Sequence, residues 1–240
     1  MIQDRNHAVN GAEPKLPRAV FWDMDGTLID SEPIWHEAEI WYAERHGGEW
    51  SDEMGWKITG TPVPKVAQMM IDRGTKMDVE ELTQGLIDFV AAREIERMPW
   101  IPGGVELVKA CADAGIPNVL VTASPRKMAE ALLAQAPEGA FVGFVCGDDV
   151  KEKKPHPAPY LAAAKVVGID PHSESMKECV AVEDSETGLQ SAVASGATTI
   201  AITGYMRSQP KNGPQFASIK YYEGITPDTL GDFVRRRLGS

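Results

Sequence analysis

The chain changes its pattern at one place, and that change limits the folds open to it. From about residue 99 onward, apolar runs of strand length alternate with helical patterns. The runs are "GIPNVLVTASP", "GAFVGFVCGDD", "ECVAVEDSETG" and "ATTIAIT". Helical patterns are interleaved with them over Val105–Ala114, Arg126–Gln135, Pro157–Val167 and Glu186–Ala194. Strands separated by helices run parallel, with the helices covering both faces of the sheet. One further run, "RAVFWD", stops at Asp23, far upstream of the others. From about 32 to 98 there is no strand signal. Ile34, Ala38, Trp41 and Tyr42 recur there at helical spacing. So do Val63, Val66, Ala67, Met70 and Ile71, with Thr61 as expected N-cap and Pro62 at the first helical position. Val79, Leu82, Leu86, Phe89 and Val90 form a third stripe. Packing alone accounts for all three stripes.

The expected fold class is therefore α/β: a Rossmann-like parallel-sheet core with a small all-helical unit inserted after the first strand. The expected boundaries are residues 1–17 for a polar lead-in, 18–31 and 99–240 for the core, and 32–98 for the helical unit. "MPWIPGG" reads as a linker, and Thr226 as the cap of a closing helix. The 240 residues, 43% apolar, suffice for one sizeable core and a smaller satellite. The net charge of -11 argues against nucleic acid as a partner, because phosphate backbones call for basic patches. A small anionic substrate would need a locally positive site, made by Lys, a metal or backbone N–H groups. Cys111, Cys146 and Cys179 lack metal-type spacing and read as small buried apolar residues in a reducing compartment. No apolar run approaches the ~18–20 residues that cross a membrane, and "MIQDRNHAVNGAEPKLPR" lacks the apolar centre of a signal peptide. A cytoplasmic monomer is the expectation.

In an open parallel sheet, ligands sit at the carboxyl ends of the strands. The polar residues at those ends are Asp23 and Asp25; Thr122, Ala123 and Ser124; Asp148 and Asp149; Glu183 and Asp184. Several carboxylates converging on one edge are costly without a cation. A hard divalent ion with oxygen ligands removes that cost, and Mg²⁺ suits a site shared with a phosphate. Glu183–Asp184 are expected both to cap the following helix and to bind the metal, since the two roles are compatible. Ser124 reads as a helix cap with Pro125 behind it, and a hydroxyl at a strand-to-helix turn also makes an anion site. Lys154 in "KEKKPHP" supplies local positive charge, while Lys151 and Lys153 are expected to face solvent. Gly26 would let the chain turn sharply after Asp25, with Thr27 tying the turn by hydrogen bonds.

Four motifs in order, "DMDGT", "VLVT", "KKP" and "VEDSETG", resemble those of the haloacid dehalogenase superfamily, in the subgroup with a helical cap after the first strand. The resemblance covers nearly the whole chain beyond the lead-in. It implies that Asp23 is a nucleophile forming an aspartyl-phosphate, and that Asp25 is a general acid and then base. It implies Mg²⁺ held by the Asp23 carboxylate, the Asp25 backbone carbonyl and Asp184, with Glu183 close or bridged by water. Thr122 and the N–H groups of Met24 and Ala123 would hold phosphoryl oxygens, and Lys154 would neutralise charge.

Within this family, Asp25 argues against dehalogenases and phosphonoacetaldehyde hydrolases, and Met24-Asp25 against transport ATPases. Phosphatases and sugar phosphomutases of the β-phosphoglucomutase type remain. The mutases carry an Arg where this chain has Val63, three residues after Gly60, and lack a Thr at position 27; both departures favour hydrolysis. The substrate implied is a small phosphorylated metabolite such as a sugar phosphate or a nucleotide. The cap residues expected near it are Trp35, His36, Trp56, Lys57, Thr61 and Lys65, with core packing favoured for the two tryptophans. A catalytically silent binding protein would be expected to lack Asp23, Asp25 or Lys154, and all three are present.

Overall fold

The computed structural model describes residues 16–205 and 213–239. All but two residues of the expected lead-in lie outside them. Six parallel strands form one sheet: β1 (Val20–Trp22), β2 (Asn118–Val121), β3 (Gly143–Val145), β4 (Val180–Glu183), β5 (Thr198–Ile202) and β6 (Ala217–Ile219). Their spatial order is β3-β2-β1-β4-β5-β6. The strand ending in the Asp pair is thus central, and Phe21 lies in register with Val119 on one side and Ala181 on the other. Its side chains alternate as a pleated strand requires. Val20 and Trp22 enter a larger apolar cluster, while Ala19 and Phe21 enter a smaller one on the opposite face. β6 has no counterpart among the apolar runs: Ala217 and Ser218 are not buried, so the edge strand lacks the continuous apolar signal of its neighbours.

Between β1 and β2 come α1 (Glu32–Arg45), α2 (Asp52–Ile58), α3 (Val63–Ile71), α4 (Val79–Glu96) and α5 (Gly104–Asp113). α1 and α3 pack against α4, which also packs against α6 (Arg126–Gln135). The chain leaves and re-enters the sheet region along paired backbone: Asp30 N–H donates to Pro99 O at 3.0 Å, and Ile101 N–H to Leu28 O at 2.8 Å. After β2 follow α6 (Arg126–Gln135), α7 (Ala158–Val166), α8 (Glu186–Ala194) and the closing α9 (Pro227–Leu238). Thr226 caps α9 in a reciprocal capping box with Thr229.

Three expected caps are replaced. Pro62, not Thr61, stands at the N-cap of α3. Asp148 reaches across to accept from Arg126 N–H at the start of α6, which frees the Ser124 hydroxyl. Ser185, not Glu183 or Asp184, caps α8 by accepting from Gly188 N–H. Cys111, Cys146 and Cys179 are buried free thiols. No helix among the described residues is long and apolar enough to cross a membrane.

Candidate active site

The carboxyl ends of β1, β2 and β4 meet at one point because parallel register brings three strand ends level. Asp23 follows β1, Thr122 follows β2, and Glu183–Asp184 closes and follows β4. Lys154 arrives from the segment before α7, and its ammonium donates to Asp23 Oδ1 at 2.6 Å, Glu183 Oε1 at 2.6 Å and Val121 O at 2.9 Å. Burial by itself would lower the pKa of that lysine. The Asp23 and Glu183 carboxylates outweigh it and hold the ammonium above its ordinary range.

Glu183 is fully buried. Its Oε1 also accepts from Tyr160 Oη at 2.6 Å, and its Oε2 accepts from Ser185 Oγ at 3.3 Å. Tyr160 packs on Phe21, and Lys154 Nζ lies 5.4 Å from the Tyr160 ring centroid. Nothing in the spacing of "KPHPAPY" predicts this role for the tyrosine.

One carboxylate oxygen from each of Asp23, Glu183 and Asp184 lies within 4.8 Å of the others. Asp184 Oδ1 is buried and has no hydrogen-bond partner among the described residues. Burial, then the charges of Asp23 and Glu183, pushes the Asp184 carboxyl well above its usual range. The backbone makes room for it: a Cβ on Gly26 would fall 2.1 Å from Asp184 Oδ2, and Gly26 has φ +78°. Three carboxylates facing one lysine, with an orphaned buried oxygen among them, form an acidic cluster suited to a hard cation.

Asp25 lies two residues beyond Asp23, turned by a loop in which Thr27, Leu28 and Ile29 N–H groups all converge on Met24 O. Thr27 Oγ1 is buried without a partner among the described residues, so the turn is held by backbone rather than by that hydroxyl. Tyr222 Oη supports it by donating to Thr27 O at 3.0 Å. Both Asp25 oxygens are engaged: Ser31 Oγ donates to Oδ1 at 2.6 Å, and Ser124 Oγ to Oδ2 at 2.7 Å. Burial raises the Asp25 carboxyl above its ordinary value against the lowering effect of these two serines, and the Asp23 charge adds to the rise. Ser31 occupies the N-cap position of α1 but spends its hydroxyl on Asp25. Thr122 Oγ1 accepts from Ser124 N–H at 2.9 Å, fixing the turn that aims Ser124.

Two cavities adjoin this cluster. The smaller, about 480 Å³, contains Asp23, Thr122, Ala123, Lys154 and Asp184 on its walls, with Trp56 and Lys57 opposite. The larger, about 660 Å³, is lined by Trp35, His36 and Thr61 among others. Both reach Asp25. Met24 is buried beneath the turn. Lys65 is exposed and lines neither cavity. Asp149 pairs with Arg126, so the Asp148–Asp149 turn serves α6 and not the cluster. Lys151 and Lys153 are exposed, as expected.

Comparison with known proteins identifies the family. Hexitol phosphatase B of Escherichia coli O157:H7 is 30% identical over 92% of this chain and 98% of its own length. Hexitol phosphatase A of Escherichia coli K12 is 30% identical over 77% of this chain and 82% of its own. Among solved structures, CbbY from Rhodobacter sphaeroides in complex with phosphate shares the fold, with TM-score 0.72 and 22% identity over 87% of this chain and 96% of that one. The family model of haloacid dehalogenase-like hydrolases matches residues 17–196, and the chain belongs to that family.

Proposed function

We propose that the chain is a Mg²⁺-dependent phosphatase that hydrolyses a small phosphorylated metabolite, of the sugar- or polyol-phosphate class, through an Asp23 aspartyl-phosphate. The observation that carries this reading is the convergence of Asp23, Lys154 and Asp184 beside an Asp25 held by two serines. Related chains named as hexitol and fructose-1-phosphate phosphatases support the substrate class.

Asp23 attacks phosphorus as the bond to the alcohol oxygen breaks, and Asp25 delivers its proton to the departing oxygen. Burial shifts the Asp25 carboxyl upward, the direction that favours a proton donor. In the second half, the Asp25 carboxylate takes a proton from water, the water oxygen attacks phosphorus, and Asp23 and inorganic phosphate are released. Lys154 offsets charge on Asp23 and on the phosphoryl group. Thr122 and the N–H groups of Met24 and Ala123 orient phosphoryl oxygens. Asp23, Asp184 and the Asp25 carbonyl would hold Mg²⁺, which when bound screens the carboxylate from the phosphate dianion. Glu183 fixes Lys154 and, as the third acid of the cluster, would lie close to Mg²⁺ or reach it through water. The helices over residues 32–98 act as a cap that supplies the substrate chamber.

Release of p-nitrophenol from p-nitrophenyl phosphate tests the reading. Activity that requires Mg²⁺ and disappears in Asp23→Asn is expected; activity unchanged in that variant would refute it. Conversion of a hexose 1-phosphate to its isomer, rather than to free phosphate, would establish a mutase instead.

A further inference from the structure

The two cavities share Asp25, Glu32, Thr59, Gly60 and Ala123. With the phosphoryl group in the smaller one, the larger is left for the departing alcohol. Its walls are mainly apolar, formed by Ile58, Val63, Val66, Leu86 and Ile87. One wall differs. Glu32, His36 and Glu39 lie at helical spacing on α1, share a face and all reach the chamber.

That wall is tightly built. His36 Nε2 lies 3.6 Å from Glu32 Oε2, and its Nδ1 lies 3.5 Å from Asp52 Oδ1. Glu39 is 5% exposed, and its Oε2 accepts from Trp50 Nε1 at 2.8 Å. α2 closes on the pair at Gly55, where a Cβ would fall 2.7 Å from His36 Cδ2 and 2.9 Å from Glu39 Oε2. Burial, opposed by the Trp50 hydrogen bond and aided by Glu32, raises the Glu39 carboxyl to about 7. Glu39 is therefore mainly ionised at pH 8. Among the described residues that line the chamber, the exposed Lys153 is the sole Lys or Arg.

We infer that Glu39 is a specificity-determining residue: it admits leaving groups whose far end is a neutral hydroxyl and rejects those ending in a carboxylate or a second phosphate. A hydroxyl can donate to the free side of the carboxylate. A second anion would meet Glu39 and Glu32 between apolar walls, where the buried His36 is already shared between Glu32 and Asp52. The inference rests on the phosphatase reading for the placement of the phosphoryl group.

Sorbitol 6-phosphate and 6-phosphogluconate test it, because they share a six-carbon skeleton and differ at the far end by CH₂OH against COO⁻. Each is titrated calorimetrically at pH 8 with Mg²⁺ into Asp23→Asn, which does not turn over. The hydroxyl-ended ligand should bind at least about ten-fold more tightly. Adding Glu39→Gln should narrow the ratio to within about three-fold, by a gain for 6-phosphogluconate. Equal binding, tighter 6-phosphogluconate, binding of neither, or a ratio unmoved by Glu39→Gln in a folded variant would overturn the inference. If Glu39→Gln does not fold, glucose 6-phosphate against glucose 1,6-bisphosphate in Asp23→Asn decides it, with the bisphosphate expected to be the weaker ligand. Failure of the wild-type protein to hydrolyse p-nitrophenyl phosphate would sink the phosphatase reading and leave the affinity ratio to be judged separately.

Discussion

Glu183 and Glu94 are both glutamates with 0% exposure, and their surroundings are opposite. Glu183, at the sheet edge, accepts from Lys154, Tyr160 and Ser185. Glu94, on α4, has no hydrogen-bond partner on either oxygen among the described residues. Burial, with a smaller contribution from Asp25, raises its carboxyl to about 9, so at neutral pH it is buried as the neutral acid. The comparison separates two ways of placing a carboxyl group in an interior. At the end of β4, burial and the Asp23 charge raise the Glu183 carboxyl, and Lys154 and Tyr160 are supplied to oppose that rise. Among the helices charge is given up, and the group simply occupies space.

The largest expected effect comes from removing the partner at the sheet edge. Lys154→Met leaves Asp23 and Glu183 buried without their cation, at a cost of ~3–5 kcal/mol in urea unfolding. Phosphate release should fall by about a thousand-fold or more in the same variant. Stability and turnover both near wild type would erase the distinction between the two glutamates. The opposite substitution among the helices should stabilise. Glu94→Met replaces an unpartnered acid by an apolar side chain of similar length, and should raise stability by ~1–3 kcal/mol near neutral pH.

The pH dependence of that gain carries a definite sign. The folded-state pKa of Glu94 is raised, so its stabilising contribution is complete below the ordinary carboxyl range. It is lost as pH rises toward about 9. The advantage of Glu94→Met should therefore grow between about pH 5 and pH 8, by no more than ~1.4 kcal/mol per pH unit. A constant advantage in melts across that range would show that Glu94 has a partner after all.

Smaller effects sharpen the comparison. Tyr160→Phe removes one donor from Glu183 while Lys154 stays, and should cost ~1–2 kcal/mol with activity reduced far less than in Lys154→Met. Ser124→Ala removes one of the two hydroxyls that lower the Asp25 pKa. The pH–rate profile should then move upward, by up to about one pH unit, with little change in melting temperature.

Much of the site was legible because each motif sits at a strand end, and parallel register carries those ends to one place. Asp23, Thr122 and Glu183–Asp184 needed only the alternation of strands and helices to be brought together, and "KKP" could be placed by its position in the order. The roles of Ser31, Ser124 and Tyr160 were hidden for a physical reason. A serine before a helix can cap it or turn its hydroxyl elsewhere, and the neighbouring residues do not decide. Ser124 is released from α6 only because Asp148, 24 residues further along the chain, takes the Arg126 N–H. Thr27 reads as a turn-tying hydroxyl, yet Met24 O gathers the turn's N–H groups, and that hydroxyl has no partner among the described residues.

The sequence by itself determined the α/β class, the first strand that ends in two aspartates, and the acid-and-lysine composition of the cluster. These follow from apolar periodicity and from residue order, which are local properties. Only the tertiary structure decided which buried acids keep a partner, and which wall of the chamber carries Glu32, His36 and Glu39. Those outcomes depend on contacts between segments distant in the chain, such as Gly55 against Glu39 and Lys154 against Glu183. A hydrogen bond or a charge pair exists only once packing has set its geometry.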